Sequence, residues 1–316
     1  MQVMYGAGRA KPALKNTVAA IGIFDGVHKG HQHLIRRMVA SARRRKSKSI
    51  VVTFHPHPVE VLHHKKVAYL VSLPQRLELI KKLGVDIVMV IRFTEQFSRL
   101  RPEEFVEKYL VRRLGVQEVF VGDDFRFGQN RSGDVDSFEV IGKRFGFSVK
   151  HMRPVKKISD KISSSSLREL ISSGSLQEAA SMLGRKVSVS GKVVHGSARG
   201  KELGYPTANI KVDSGILPPQ GVYVVRVGLN GRMLKGMVNL GSRPSFADKN
   251  PQMHFEAHIL DFNKNIYGRT IVIEFIKKIR DEQKFSSVDE LVSQIRSDEH
   301  FTRKYFRIRP ALARLP

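Results

Sequence analysis

Residues 18–32 read VAAIGIFDGVHKGHQ, an apolar run that passes directly into a turn rich in glycine and histidine. The apolar run is nearly continuous, which is typical of a strand buried on both faces of a parallel sheet. Gly22, Gly26 and Gly30 permit close backbone approach where this strand ends and a helix begins. In an open α/β sheet, phosphates bind at that place because free backbone N–H groups and the helix dipole meet there. The stretch therefore predicts an α/β domain with an anion site after its first buried strand.

The segments that follow continue the alternation of strand and helix. The clearest helix-like stretch, residues 102–114, begins with Pro102 and two acidic residues, as a helix N-terminus does. Ser175 and Glu178 form a capping-box pattern that opens a helix to residue 183. The order predicts a doubly wound parallel sheet. Its strands are expected at residues 18–24, 50–54, 85–91 and 118–121, and its helices at 31–45, 74–83, 102–114, 166–172 and 175–183.

The pattern changes after residues 184–186, which read GRK. Short β-branched runs then follow one another without helices between them, which indicates an antiparallel barrel or sandwich. Ser287 and Glu290 form a further capping box, which opens a helix through about residue 298. We therefore expect two domains, residues 1–184 and residues 185–316. The runs of the second domain lie at residues 187–194, 221–227, 236–240, 254–260 and 270–276.

The composition is consistent with two domains and indicates the charge of the binding partner. The chain has 316 residues, and roughly 150 residues make one domain. It carries 55 Lys+Arg against 29 Asp+Glu, a formal net charge of +26, which indicates an anionic partner. Nucleic acid, anionic lipid and a phosphate-rich small molecule all satisfy that charge.

The residues that are missing exclude several classes of site. The chain has no cysteine, which excludes disulfides, thiolate catalysis and cysteine-based metal sites. It shows no N-terminal signal pattern and no apolar run of about 18 residues, so neither a membrane span nor export is expected. We expect a cytoplasmic protein.

The first candidate site is the turn after the first strand. His28 and His31 are three residues apart and share one face near the start of a helix. Two imidazoles placed there can donate to a polyphosphate and neutralise charge as pyrophosphate leaves. The alternative interpretation is a glycine turn with two solvated histidines.

Two later segments follow predicted strands and are expected at the same edge of the sheet. Residues 52–58 read VTFHPHP, in which Phe54 either stacks on a flat ring or caps the core. Residues 121–128 read VGDDFRFG, in which Asp124 can accept a hydrogen bond or hold a metal and Arg126 can reach phosphate. The alternation of Phe125 and Phe127 predicts one ring in the core and one facing a ligand.

A further segment, residues 161–168, reads KISSSSLR. Its serine hydroxyls, its backbone N–H groups and the guanidinium of Arg168 lie at a predicted helix start, which makes it a second anion cradle. The alternative is an ordinary serine N-cap.

The second candidate site lies in residues 195–209, HGSARGKELGYPTAN. A Walker-type phosphate loop is disfavoured because Lys201 is followed by Glu202. Thr207 and Asn209 point to one face of a strand, where two neutral oxygens can bind Mg²⁺ together with water and substrate phosphates. The alternative interpretation is a turn whose polar side chains only cap the backbone.

Glu256 shares a strand face with His254 and His258. That face is either part of a site or an ordinary solvated face of the strand.

Taken together, these segments resemble the bacterial bifunctional riboflavin kinase/FAD synthetase family. The histidine string is similar to the HxGH signature of the nucleotidyltransferase superfamily, residues 161–168 are similar to its ISSTxxR motif, and the PTAN core resembles the riboflavin kinase signature. The resemblance covers about residues 16–300, and its motifs occur in the same order as in the family. Further matching segments are residues 239–246 (NLGSRPSF), 255–262 (FEAHILDF), 266–268 (IYG) and 280–285 (RDEQKF).

The resemblance implies a fold and two activities. The fold is a doubly wound nucleotidyltransferase domain followed by an antiparallel β-barrel kinase domain with a terminal helix. The activities are phosphorylation of riboflavin with ATP to FMN, and adenylylation of FMN with ATP to FAD and pyrophosphate. Mg²⁺, ATP and flavins are the implied cofactor and substrates, whereas a membrane or nucleic-acid partner is not expected.

The resemblance also implies roles for individual residues. The implied catalytic residues are Glu256 as base for the ribityl 5′-hydroxyl, together with His28, His31 and Arg168. The implied flavin contacts are Phe54, Asp124, Phe127 and Arg280, and the implied Mg²⁺ ligands are Thr207 and Asn209. The implied ATP contacts are Gly22, Phe24, Asp25, Gly26, His28, His31, Ser164, Ser165, Arg168, Gly196, Arg199, Gly200, Lys201, Thr207 and Asn209.

Small departures from the family pattern concern mainly the serine segment. Ser165 replaces a usual threonine and keeps the hydroxyl, while Ser166 adds no charge, so Arg168 would contact the phosphate alone. The other departures are Ser245, Asn265, and the pair Ser197 and Ala198. None of them removes a proposed catalytic group.

Two rival interpretations remain. One keeps a single activity of the two. The other is a nucleic-acid-binding protein, motivated by the charge of +26 and the run RRRKSK at residues 43–48, although no aromatic RNA-binding sheet signature occurs. That run and the basic tail at residues 305–316 lie outside every motif. We expect them to form a solvated surface, with a polyanion contact left open.

Overall fold

The computed structural model describes residues 1–6, 14–152, 162–196, 203–212, 215–243 and 252–307, without the side chains of residues 242, 243, 252 and 253. The chain divides into two compact units. Unit 1 comprises Met1–Ala68 and Leu73–Ser166, and unit 2 comprises Tyr69–Ser72 and Leu167–Pro316.

Unit 1 is built on a six-stranded parallel sheet with strand order β1-β4-β3-β2-β5-β6. Its strands are β1 (Gln2–Tyr5), β2 (Thr17–Ile21), β3 (Lys48–His55), β4 (Ile87–Arg92), β5 (Val116–Gly122) and β6 (Ser148–Met152). The helices between them are α1 (Lys29–Arg44), α2 (Pro58–Leu62), α3 (Leu73–Lys81), α4 (Glu95–Ser98), α5 (Pro102–Phe105) and α6 (Val135–Phe145).

Helices cover both faces of this sheet, so the predicted doubly wound architecture is confirmed. Alternate residues of each strand enter different cores: Ala19 and Ile50 pack with α5 and α6 on one face, whereas Val18 and Val51 pack with α1 on the other. The order in which strands are added to the sheet changes direction at β2, which has β3 on one side and β5 on the other. The carboxyl ends of these central strands are where ligands bind in open α/β sheets.

The predicted helix over residues 102–114 has an unexpected internal geometry. It starts at Pro102 as predicted, but α5 passes at Val106–Leu114 into a π-helix that ends at Gly115, where φ is 54°. A side chain at Gly115 would meet the carbonyl oxygen of Leu14 at 2.4 Å, so only glycine fits this end.

Unit 2 contains a closed antiparallel barrel with strand order β10-β11-β8-β7-β12-β9. This confirms the barrel and excludes the sandwich that the strand pattern alone left open. Its strands are β7 (Ser188–Val194), β8 (Ala208–Val212), β9 (Gly221–Leu229), β10 (Arg232–Arg243), β11 (Gln252–Ile259) and β12 (Thr270–Arg280), and its helices are α7 (Ser164–Ser172, which begins in unit 1), α8 (Leu176–Leu183) and α9 (Val288–Tyr305).

Two of the predicted helix ends differ in detail. Ser175 precedes α8 but makes no side-chain cap, because its hydroxyl accepts a hydrogen bond from Ser173 instead. The Ser287 hydroxyl caps α9 as predicted by accepting from the N–H of Glu290. That helix continues to Tyr305, seven residues beyond the predicted end, and buries Asp298 and Thr302. Within the described ranges, no helix has the length and apolarity needed to cross a bilayer.

Candidate functional site

The first site is the segment between β2 and α1, which we call the histidine turn (residues 24–31). A single 3₁₀ turn, Asp25–Val27, connects the strand to His28, which is the N-cap of α1. The Nδ1 atom of His28 accepts a hydrogen bond from the N–H of His31 at 3.3 Å. Because Nδ1 is an acceptor there, the proton of a neutral His28 ring lies on Nε2.

The two histidine rings of this turn are stacked, with their centroids 3.6 Å apart. His28 is only 6% exposed, so the predicted pair of solvated histidines is excluded as an alternative. Burial, followed by the nearby His28 and Arg76, holds the pKa of His31 well below its usual value. No group of the described chain forms a hydrogen bond with the buried Nδ1 atom of His31. The turn therefore presents a neutral His31 ring whose Nδ1 atom has hydrogen-bonding capacity left for a ligand.

Backbone geometry explains why glycine recurs in the turn. Gly26 has a φ of 77°, and a side chain at Gly22 would meet the ring of Phe24 at 3.0 Å. Phe24 itself is 2% exposed and packs edge-on against His31. Its ring is therefore a support for the turn, and only its backbone is placed to meet a nucleotide.

Arg76 is a residue of this site that the sequence analysis missed. It lies on α3 and is fully buried, and its Nη1 atom donates to the carbonyl oxygens of Ile23 at 2.9 Å and Phe54 at 3.4 Å. Burial and the Arg76 charge lower the pKa of His55, whereas Glu60 raises it. The available signal was an arginine in the register of Leu73, Leu77 and Ile80, which is the apolar face of the helix.

The end of β3 contributes the second predicted element of this edge. Phe54 is partly buried and lies in an aromatic cluster, 6.2 Å from Phe93 and 5.9 Å from Phe97 between ring centroids. His57 caps the short helix α2 by accepting from the N–H of Val59 at 3.1 Å.

The loop after β5 differs from its prediction in one respect. Phe125 and Phe127 do not face opposite ways: their rings stack at 5.2 Å, and both pack on Phe138. Phe127 is 8% exposed and belongs to the core, while Phe125 keeps the more exposed position. Arg126 is engaged by Asp134 at 3.1 Å, whereas the Asp124 side chain is exposed beside the sheet edge.

The serine segment forms the serine N-cap that the alternative interpretation expected, and it lies beside the histidine turn. Ser163 and Ser166 form reciprocal caps at the start of α7, with each hydroxyl accepting from the other's N–H. In addition, the hydroxyl of Ser164 donates to the carbonyl oxygen of Asp25 at 3.2 Å, so this helix start lies against the histidine turn. Ser165 is exposed there. Arg168 lies half-buried one turn further along α7.

The second site lies on the barrel, and its centre is a row of polar side chains on adjacent strands. Asn209 of β8 and Asn239 of β10 are both register partners of Glu256 on β11. Glu256 is partly exposed between the buried Phe255 and Ala257, as the predicted face alternation requires. We call Asn209, Glu256 and Asn239 the barrel row.

Residues on either side of the barrel row complete this site. A side chain at Gly196 would lie 2.0 Å from the amide nitrogen of Asn209, so the missing Cβ makes room for that amide. Thr207 lies just before β8, two residues from Asn209, and the predicted loop residues Arg199, Gly200 and Lys201 lie outside the described residues. His258 donates from Nδ1 to the carbonyl oxygen of Pro206 at 2.9 Å, which holds this segment on β11.

Arg280, a predicted flavin contact, is bound within the protein. Its guanidinium donates from Nη2 to Asp298 of α9 at 2.8 Å and from Nε to both carboxylate oxygens. Asp298 is 3% exposed, so this is a buried ion pair that joins β12 to α9. In the described part of the chain, no group of three His, Cys, Asp or Glu side chains is arranged to hold a metal.

Comparison with protein families divides the chain in the same way. Residues 10–166 match the family model for FAD synthetase, and residues 183–306 match the model for riboflavin kinase. The histidine turn falls in the first match and the barrel row in the second.

Curated relatives match both regions at once. The bifunctional riboflavin kinase/FMN adenylyltransferase of Listeria monocytogenes is 40% identical over 92% of this chain and 93% of its own length. The proteins of the same name from Escherichia coli K12 and Haemophilus influenzae are 38% and 36% identical, over 92% and 97% of this chain and 92% and 99% of their own lengths.

A solved structure also matches almost the whole chain. It is described as a macrolide-efflux protein from Streptococcus pneumoniae, with a TM-score of 0.83, 31% identity, and coverage of 96% of this chain and 99% of its own. This likeness concerns the fold, and the activity in that description is stated of that protein.

Proposed function

The chain belongs to the family of bifunctional riboflavin kinase/FMN adenylyltransferases, and from that premise we propose which residues carry out each reaction. The enzyme phosphorylates riboflavin with ATP to FMN, and it adenylylates FMN with a second ATP to FAD and pyrophosphate. Both reactions are substitutions at phosphorus, in which positioning and charge neutralisation supply most of the catalysis. The observation that supports this assignment best is that each unit has its own polar site, the histidine turn and the barrel row.

Adenylylation is assigned to the histidine turn. An oxygen of the FMN phosphate attacks the α-phosphorus of ATP, and the bond from that phosphorus to the bridging oxygen breaks to release pyrophosphate. The FMN phosphate is already an anion, so no general base is needed. The Nε2–H of His28 and the ring of His31 stabilise the charge on the phosphates, and Arg168 contacts them from α7. The backbones of Gly22, Asp25 and Gly26 and the hydroxyls of Ser164 and Ser165 complete the cradle.

Phosphorylation is assigned to the barrel row. Glu256 accepts the proton of the ribityl 5′-hydroxyl as that oxygen attacks the γ-phosphorus of ATP, and ADP leaves. Asn239 lies opposite Glu256 on the neighbouring strand, in position to orient the hydroxyl or the carboxylate. Gly196 and the loop residues Arg199, Gly200 and Lys201 are assigned to the phosphates of this ATP.

Mg²⁺ is proposed as the cofactor of the phosphorylation. The neutral side-chain oxygens of Thr207 and Asn209 fit a Mg²⁺ ion that takes its remaining ligands from water and substrate phosphates. The Asn209 amide occupies the space that a Cβ at Gly196 would fill, so it lies against the backbone of Gly196. Bound there, the ion neutralises charge on the ATP phosphates.

The flavin contacts are refined by the positions of the side chains. Phe54 and Asp124 lie at the ends of β3 and β5 and are proposed to meet the flavin directly. Phe127 supports Phe125 from the core, and Arg280 fixes the segment after β12 through Asp298.

We retain residues 1–184 and 185–316 as the two functional domains, which the start of the riboflavin kinase match at residue 183 supports. We also propose that the protein is cytoplasmic.

Flavin product analysis tests the two-site assignment. His28→Ala given riboflavin, ATP and Mg²⁺ is expected to stop at FMN, whereas Glu256→Ala forms no FMN but still converts supplied FMN to FAD. His254→Ala removes a side chain from the same face of β11 and is expected to keep both activities. Loss of both activities in both variants, with His254→Ala unaffected, would refute the assignment of separate sites.

A further inference from the structure

Helix α1 carries a charged surface that neither proposed reaction uses. It is 16 residues long, Lys29–Arg44, and contains no acidic residue. Its buried side is made of Leu34, Ile35, Met38 and Val39. Its exposed side carries Arg36, Arg37, Arg43 and Arg44, which we call the arginine face. The helix is about 24 Å long, and seven residues separate Arg36 from Arg43, a distance of about 10 Å along the axis.

The arginines of this face form no ion pair within the described ranges, although the charge of Arg43 lies close enough to the Asp86 carboxylate to lower its pKa, after hydrogen bonds from Ser49 as the larger favourable cause. On nearby helices Arg99 pairs with Glu95, Arg101 with Glu104, and Arg112 with Glu107. Within the described ranges, no carboxylate lies within ion-pair distance of the four arginines of α1. The arginine face therefore concentrates four positive charges on one side of a single helix that has no acidic residue.

The positive surface continues beyond the end of the helix. Arg43, Lys46 and Lys48 line a cavity of about 270 Å³ together with Asp86. The Asp86 carboxylate is engaged, because it accepts hydrogen bonds from the N–H and hydroxyl of Ser49 at 2.9 and 2.7 Å. This cavity lies where β3 begins and β4 is about to begin, at the opposite edge of the sheet from the histidine turn. The surface is therefore separate from the adenylylation site.

We propose that the arginine face of α1, extended by Lys46 and Lys48, binds the phosphodiester backbone of a nucleic-acid duplex. A row of unpaired guanidiniums fits a polymer that presents phosphates at short, regular intervals, about 3.4 Å of axis per strand. None of the chain's exposed large apolar or aromatic side chains lies on α1 within the described ranges. Bases of a single strand therefore have no stacking platform there, and a bilayer has no apolar anchor. Contacts to phosphates alone predict binding without sequence preference.

Fluorescence anisotropy with labelled duplexes of about 20 base pairs tests the proposal, since this length exceeds the footprint of α1. Duplex RNA and duplex DNA serve as separate probes, beside a single strand and vesicles of phosphatidylcholine with phosphatidylserine. The test variant is Arg37→Gln/Arg43→Gln/Arg44→Gln. The matched control is Arg99→Gln/Arg101→Gln/Arg112→Gln, whose side chains are 75, 71 and 74% exposed and which removes the same formal charge.

The native protein is expected to bind one or both duplexes more tightly than the single strand. Loss of three phosphate contacts lowers the slope of log affinity against log salt by about 2.7. Between about 50 and 200 mM salt, the affinity of the native protein then falls about 40-fold more than that of the test variant. Riboflavin turnover to FAD is expected to be unchanged in both variants, which shows that they are folded.

Three outcomes would overturn the proposal. The first is absence of duplex binding by the native protein at low salt. The second is an equal loss in the test and control variants, which would show a response to net charge alone. The third is binding to the single strand or to the vesicles that exceeds duplex binding and depends on the same arginines. None of these outcomes affects the flavin activities, so the two proposals fail independently.

Discussion

The Nη1 atom of Arg76 donates to the carbonyl oxygen of Ile23 at 2.9 Å, directly behind the histidine turn. The same oxygen accepts from the Thr53 hydroxyl at 2.9 Å, and Arg76 also reaches the carbonyl oxygen of Phe54. One buried guanidinium therefore joins the segment that follows β2 to the end of β3. It also brings a permanent positive charge close enough to His31 and His55 to lower their pKa values, in both cases after burial as the larger cause.

Replacing this arginine is expected to change the titration of His31. In Arg76→Met the positive charge is gone, so the pKa of His31 rises towards its ordinary value although burial and His28 still lower it. NMR titration of the histidine ring carbons measures this directly. Arg76→Lys keeps the charge while losing the paired geometry, and its His31 pKa is expected to remain closer to that of the native protein. A His31 pKa that is the same in the native protein and Arg76→Met would contradict the electrostatic role.

The lowered pKa of His31 also predicts how stability depends on pH. The folded pKa lies well below the unfolded value of 6.5, so below about pH 6.5 the unfolded chain binds a proton that the folded chain does not. Stability from this residue is therefore present above pH 6.5 and lost as the pH falls. From pH 7 to about 5.5 the loss amounts to about 1 kcal/mol at most.

His31→Gln removes that dependence, whereas a change at the exposed His33 does not. Hydrogen exchange of the β2 amides reports on unit 1 by itself and measures the free energy of opening at both pH values. We expect the fall in that free energy between pH 7 and 5.5 to be smaller in His31→Gln than in the native protein. A fall equal to that of His33→Gln would contradict the assignment.

The sequence predicted the architecture well because its strongest signals are the buried ones. Short, continuous runs rich in β-branched residues, such as residues 50–54, indicate strands buried on both faces, and the glycine turn after β2 marks their carboxyl edge. Edge strands β1 and β6 were missed because each leaves much of its length exposed and has no such run. Strand β8 was placed only through the spacing of Thr207 and Asn209.

Site residues were predictable as motifs, but their surroundings were not. The helical register of Arg76 with Leu73 and Ile80 indicates burial, but its partners could not be predicted, because the hydrogen-bond acceptors lie 53 and 22 residues away in the chain. The alternation of Phe125 and Phe127 predicts opposite faces only on a regular strand, and this segment is a loop after β5. Arg280 matches a family segment, yet its partner Asp298 is 18 residues away on another element.

Gly196 offers a test of the barrel site that removes none of its polar groups. In Gly196→Ala the new methyl group would overlap the Asn209 amide, which lies 2.0 Å from the Cβ position, so that amide must move. Since Asn209 is a proposed Mg²⁺ and ATP contact, we expect a raised KM for ATP and a lower rate of riboflavin phosphorylation. Adenylylation of supplied FMN by the same protein is the internal control and should be unchanged. Equal KM values for ATP in the native and variant kinase reactions would refute the role of this close approach.

Breaking the Arg280–Asp298 pair is expected to cause a large loss of stability in unit 2. Asp298→Asn leaves a guanidinium that is largely buried without its counter-charge, and breaking a buried pair from one side costs about 3–5 kcal/mol. Asp289→Asn removes the same charge from an exposed position of the same helix and is expected to cost under about 1 kcal/mol. Hydrogen exchange of β12 amides in unit 2 measures both. If Arg280 instead serves mainly as a direct flavin contact, Asp298→Asn would free it at little cost in stability. The two variants would then show similar exchange free energies, and the loss would appear only in the KM for riboflavin.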